Sequence, residues 1–214
     1  MTKISVAKAM APWLVAIMCL GGSRTAIALT GDPALFQRSY DEEAAGHTEE
    51  ALAALDKLSP AKSGAYLTQL RRGWLLYRLG RHAEAIEAYE KASSLDAKSV
   101  EARLGILLPL MAAHNWQAAE KAARDVLRSD ASNYLATLRL AFVQYSQGRY
   151  GESRTLYKKL AEGYPSDVEV RAGLGWALLK LGRNDEAASA FREVLEIAPK
   201  NVIALQGLSA TGLR

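Results

Sequence analysis

Three histidines, His47, His82 and His114, are the side chains from which a metal or acid–base reading of this sequence has to start. Each falls near the turn of a different predicted helical hairpin. Packed helices stand about 8–10 Å apart while zinc–nitrogen bonds are about 2 Å, so the three imidazoles cannot converge on one ion and read as solvated turn residues. The acidic runs Asp41-Glu42-Glu43, Glu49-Glu50 and Asp185-Glu186 read as solvated turn or first-turn acids, favourable beside the unpaired N–H groups of a helix start. No Ser/His/Asp arrangement, glycine-rich phosphate loop or HExxH pattern occurs, so the residues point to no catalytic centre and call for no cofactor. What remains is recognition by apolar and aromatic side chains. Leu70, Trp74 and Tyr77 follow one another at spacings of four and three, which sets them in one ridge on one helix face.

The element that must carry this ridge is the stretch Tyr66–Ser99, which reads as two short amphipathic helices. Apolar residues recur through Leu67, Leu70, Trp74 and Tyr77, then through Ala85, Ile86, Tyr89 and Ala92, with Gly80 breaking the pattern between them. Sliding the chain by 34 residues superposes these features without an insertion. Gly80 is matched by Gly46, Gly148 and Gly182, with only His114 departing; Ala85 by Ala51, Ala119, Ser153 and Ala187; Tyr89 by Leu55, Ala123, Tyr157 and Phe191. A helix–turn–helix unit of this period, with a small residue early in its second helix and a proline near its end (Pro165, Pro199), resembles the tetratricopeptide repeat family. The resemblance covers about residues 32–201 and is strongest in 66–99 and 168–201.

That resemblance implies an all-α fold, a right-handed superhelical solenoid of helix–turn–helix repeats closed by a C-terminal capping helix. Residues 29–65 form an atypical first repeat ending in a loop at 59–64. Four repeats follow at 66–99, 100–133, 134–167 and 168–201, and 202–214 is the cap over the last apolar face. Two departures from the family pattern affect shape. Pro109 lies about three turns into a first helix, where it removes a backbone hydrogen bond and crowds the carbonyl of Gly105, and a kink rather than a break is expected there. The family's large aromatic near the start of each repeat is missing, its place taken by Leu35, Gln69, Arg103, Thr137 and Arg171, and the bulk lies five residues onward.

In this family the first helices line a concave face, with the fifth, ninth and twelfth places of each repeat pointing into it. Carried across, the resemblance implies a partner-binding groove of Phe36, Tyr40, Leu70, Trp74, Tyr77, Leu108, Met111, Leu138, Phe142, Tyr145 and Trp176, with Arg71, Arg78, Arg139 and Lys180 at its rim. Such a groove would hold an apolar segment of another protein, the rim cations selecting acidic neighbours or a terminal carboxylate. The alternative is that these side chains are core, or that the groove is filled by the chain itself or by a neighbouring copy. The family's carboxylate clamp is not repeated here: at its places stand Leu70, Trp74, Gly105, Leu135 and Arg139, and only the last complies.

Targeting is read from the first 28 residues. Lys3 and Lys8 precede an apolar run from Ala9 to Leu20, and Ala26-Ile27-Ala28 is a small-x-small site, which together describe a secretory signal cleaved after Ala28. The alternative is an uncleaved anchor holding the repeats at a membrane surface. The single cysteine, Cys19, lies within this leader, so the mature chain would hold no disulfide and no thiolate metal site. The net charge of +4 includes Lys3, Lys8 and Arg24; the remainder has 24 basic and 23 acidic residues, which is no footprint for nucleic acid. The expected setting is periplasmic or secreted, in a bacterial envelope, with a role in envelope assembly or secretion. The expected partner is a protein or peptide, with self-association as the rival and no metal.

Overall fold

Local sequence signals set the helix ends. Ser99, Asn115, Asn133, Asp167 and Asn201 each accept a backbone N–H from the first turn of the helix they precede, satisfying donors that a helix start leaves unpaired. At the other end, left-handed residues turn the chain into its partner helix: Gly46, Gly80, Gly148 and Gly182 have φ of 87°, 76°, 78° and 73°. His114 adopts the same conformation at φ 56°, although a side chain there costs about 1 kcal/mol or more. Substituting His114→Gly is therefore expected to raise the thermal midpoint by about 2–4 °C, read by calorimetry; a lowered midpoint would mean that the edge contact of His114 with Trp116, centroids 5.1 Å apart, outweighs the backbone strain.

A computed structural model describes residues 31–213; the leader at 1–28, its cleavage point and Cys19 lie outside them. Helices α1 (Asp32–Ala44) and α2 (Thr48–Asp56) form the first hairpin, and the short α3 (Pro60–Ser63) leads to α4 (Tyr66–Arg78) and α5 (His82–Leu95). Then come α6 (Val100–Gly105) and α7 (Leu107–Ala112) with α8 (Trp116–Ser129), α9 (Tyr134–Ser146) with α10 (Tyr150–Gly163), α11 (Val168–Lys180) with α12 (Asn184–Ile197), and α13 (Val202–Ala210). Contacts run within each hairpin and to the next. The protein is an all-α helical-repeat solenoid, and its core is divided among the junctions: Leu55, Leu75 and Ala85 in one cluster, Tyr157 and Val170 in another, Phe191 and Ala204 in a third.

The loop expected at 59–64 is instead one helical turn, α3. Proline at its first position needs no N–H partner, and Asp32 fixes the preceding residue by accepting from the Ser59 backbone N–H at 2.8 Å and hydroxyl at 2.5 Å. Those hydrogen bonds hold the Asp32 carboxyl below its usual range. At Pro109 the helix is interrupted only at Ile106, which keeps right-handed helical angles (φ −63°, ψ −22°) and donates to Ala102 at 3.1 Å. The residues standing where the family has an aromatic also acquire a reason. Gln69, Arg103, Thr137 and Arg171 each donate to a backbone carbonyl just upstream, of Ser63, Ser99, Asn133 and Pro165, so a polar tether to the preceding turn replaces the buried ring.

Candidate partner-binding groove

The first helices bring the expected groove residues to one side of the hairpins but not to equal depth. Tyr40 and Phe142 are 55% and 42% exposed. Phe36, Leu70, Trp74, Tyr77, Leu108, Met111, Tyr145 and Trp176 are half-buried. Leu138, expected in the groove, is instead 3% exposed and clusters with Ala141, Tyr157 and Val170: the second helix of its own hairpin and the first helix of the next close over it. Trp176 leans its edge on the core ring Phe191 with centroids 5.6 Å apart, and Trp74 lies 5.9 Å from Tyr77.

Arg71, expected at the rim, is buried at 7% exposure, and the reason is Glu43 of the preceding hairpin. Glu43 accepts from Arg71 Nη1 at 3.0 Å, from the Trp74 indole N–H at 2.5 Å and from Arg78 Nη1 at 3.2 Å. Arg71 Nε donates to Ser39 Oγ at 2.8 Å and its guanidinium lies 3.5 Å from the centre of the Tyr40 ring. Burying one cation against one carboxylate and a π face offsets both charges where either alone would be costly, although Arg71 Nη2 is left without a hydrogen-bond partner among the described residues. Of the other rim cations, Arg139 reaches Glu169 at 3.7 Å, and Lys180 is exposed. The rim is therefore largely neutralised by the chain's own acids.

Three side chains join this surface that the family positions did not supply. Leu67 and Leu135 are 64% and 46% exposed, one turn before Leu70 and Leu138 and two turns before Trp74 and Phe142, hence on the same helix face. The signal for Leu67 lay in the periodicity of its own helix. Trp116, half-buried at the start of α8, sets its ring edge-on to Phe142 with centroids 6.2 Å apart. The phenols beside the two leucines are anchored: Tyr66 shares a hydrogen bond with Ser99 at 2.5 Å and Tyr134 donates to Asp167. Burial pushes both above the usual phenol range, so both stay neutral donors at physiological pH.

Two shallow depressions, of about 700 and 300 Å³, lie away from this surface, one along α8 and one between α10, α11 and α12. His47 pairs with Glu42 at 3.1 Å, and His82 is half-buried with its ring 5.8 Å from that of Tyr77 rather than solvated. Among the described residues no three His, Cys, Asp or Glu side chains converge as a metal-binding group.

Comparison with known proteins accords with this geometry. Tetratricopeptide-repeat models match residues 67–99, 109–168 and 143–202. The chain is 35% identical over 131 residues to the CTR9 homologue of Arabidopsis thaliana, a match that takes in 61% of this chain and spans only 12% of that relative's length. Among solved structures it is similar to MamA of Desulfovibrio magneticus, at a TM-score of 0.72 and 18% identity, covering 81% of this chain and 99% of that one. It is also similar to YrrB, a tetratricopeptide-repeat protein described as having an unusual peptide-binding site, at 0.66 and 15%, covering 82% and 90%. These likenesses are of fold.

Proposed function

Because this chain belongs to the tetratricopeptide repeat family, a family of interaction scaffolds, we propose that it is a non-catalytic adaptor of a bacterial cell envelope that holds an apolar segment of another protein along its first helices. One observation carries the reading: Tyr40, Leu67, Leu135 and Phe142 remain exposed on the face where the family places its groove, while the second helices fill their core without them. Exposed apolar side chains gathered on one face mark a contact surface. The envelope setting rests on the leader alone, Lys3 to Ala28. Its test is the N-terminal sequence of the chain recovered from the periplasm; a start at Leu29 supports export, and retention of Met1 at the membrane replaces it with the anchored form.

The groove is tested by capture from envelope extract with the whole chain beside a Leu67→Ser, Leu135→Ser, Phe142→Ser variant. These exposed positions are replaced instead of Trp74 and Trp176, which are tied to Glu43 and Phe191, so circular dichroism is expected to be unchanged. A partner held by the native chain and lost by the variant supports the reading, with a drop in affinity of about tenfold or more for each aromatic or leucine anchor removed. Equal capture by both sinks it. The self-associating alternative draws on Val202, Ile203 and Leu205, exposed on α13; sedimentation that shifts with concentration would favour it, and a monomer across the range removes it.

A further inference from the structure

The second residue of successive first helices is Leu67, Glu101, Leu135, Glu169 and Ile203, an alternation of apolar and acidic side chains that repeats over two hairpins instead of one. All five are exposed. The same doubling runs through their neighbours: Tyr66, Leu67, Arg71 and Tyr77 reappear as Tyr134, Leu135, Arg139 and Tyr145, whereas Val100, Glu101, Arg103 and Gly105 reappear as Val168, Glu169, Arg171 and Gly173. The stripe is thus a feature of the chain in units of two hairpins.

Its charge differs from the one the rim cations suggested. Arg71 and Arg78 are spent on Glu43, and Arg139 reaches Glu169. Glu101, between the two exposed leucines, meets no cation within ion-pair distance among the described residues; its neighbour is the Tyr66 hydroxyl at 3.5 Å. An occupant lying across α4, α6 and α9 therefore meets an apolar, an anionic and an apolar contact in turn.

Spacing narrows the occupant's conformation. Neighbouring packed helices stand about 8–10 Å apart. A polyproline II segment advances about 9 Å per three-residue turn and returns every third side chain to the same face, so one turn matches one step along the stripe. A β-strand covers a similar distance in three residues but turns its third side chain to the opposite face, and an α-helix spreads the step over about six residues, off a whole number of turns.

Resting on the groove reading above, we infer that the partner is a proline-containing segment in polyproline II conformation that carries apolar, basic and apolar side chains at every third position, its cation set against Glu101 between Leu67 and Leu135. The test is fluorescence anisotropy of the full chain with a labelled polyproline peptide bearing leucine, lysine and leucine three residues apart, beside the same peptide with glutamate for lysine. The lysine peptide is expected to bind at least about tenfold more tightly, Glu101→Lys to reverse that preference, and Leu67→Ser with Leu135→Ser to abolish binding of the lysine peptide. Equal binding of both peptides that still needs the leucines overturns the charge pattern and leaves the groove reading intact. Failure of either peptide to bind, while capture from extract still depends on Leu67, Leu135 and Phe142, overturns the polyproline geometry alone. Binding or capture indifferent to all three residues overturns both.

Discussion

Replacing Gly105 by valine will cost the solenoid about 3 kcal/mol and lower its thermal midpoint by about 10 °C, the larger end of what overpacking a buried contact does. The Tyr89 ring is held between two backbones: a Cβ added at Gly105 would come within 2.7 Å of its Cζ, and one at Gly73 within 2.8 Å of its Cδ2. The ring therefore has nowhere to retreat. Gly105 lies in the first helix of the next hairpin, so the clash falls on a junction, and in a repeat array each junction is a large share of the coupling that makes unfolding cooperative. Broadening or splitting of the transition is expected with the fall in midpoint.

The cause is open to a sharper test, because the chain contains the opposite solution. Phe191 sits on Gly175 and Gly207 in the same way, and Tyr157 on Gly173. Where the ring is absent, at Leu55 and Ala123, the partner position holds Arg71 or Arg139. A ring faces glycine, whereas leucine or alanine is paired with arginine, so bulk on one side of the junction is expected to trade against bulk on the other. Tyr89→Ala combined with Gly105→Val should accordingly be less damaging than the two costs added, with a coupling of about 2 kcal/mol in a double-mutant cycle. Conversely, Ala123→Tyr should be tolerated only when Arg139→Gly accompanies it. Additive costs in either cycle would refute size exchange as the reason for these glycines.

This exchange was present in the sequence, sixteen residues apart: Tyr89 with Gly105, Tyr157 with Gly173, Phe191 with Gly207, against Leu55 with Arg71 and Ala123 with Arg139. Aligning copies at a period of 34 compares equivalent positions and passes over a contact between different positions of adjacent copies. The same limit explains the groove. Helical spacing placed Leu70, Trp74 and Tyr77 on one face, and the face is real; it gave no account of what the neighbouring hairpin lays over that face. Leu138 is covered by α10 of its own hairpin together with Val170 of the one that follows it, and Arg71 by Glu43 and Tyr40 from the one that precedes it. Periodicity within an element reports its orientation, whereas burial at a solenoid junction is decided by side chains about one repeat away. Leu67 and Leu135 stayed outside the family-derived set because that set was confined to three positions per copy, although the periodicity that contained Leu67 asked for it.

Glu43→Ala will detach the first hairpin from the rest of the chain. The Arg71 side chain is only 6% exposed, and that of Glu43 17%; without the carboxylate, Arg71 is left as a cation in a poorly solvated site, and Trp74 and Arg78 lose the acceptor they share. Breaking a buried pair from one side costs about 3 kcal/mol or more. Because coupling passes only between neighbours, the loss should be local: hydrogen exchange is expected to accelerate across α1 and α2, with α9 to α12 unchanged, and Trp74 emission to move to longer wavelength. Glu42→Ala is the control, since Glu42, itself half-buried, pairs only with the exposed Arg38 and His47 and such pairs contribute about 1 kcal/mol or less. Unaltered exchange in α1 and α2 of Glu43→Ala would show that apolar contacts of Phe36 and Leu55 hold the junction by themselves. The substitution also reads out on binding: freeing Arg71 and Arg78 makes the start of the groove basic, so the preference for a lysine-bearing over a glutamate-bearing peptide should narrow in Glu43→Ala and stay as it is in Glu42→Ala.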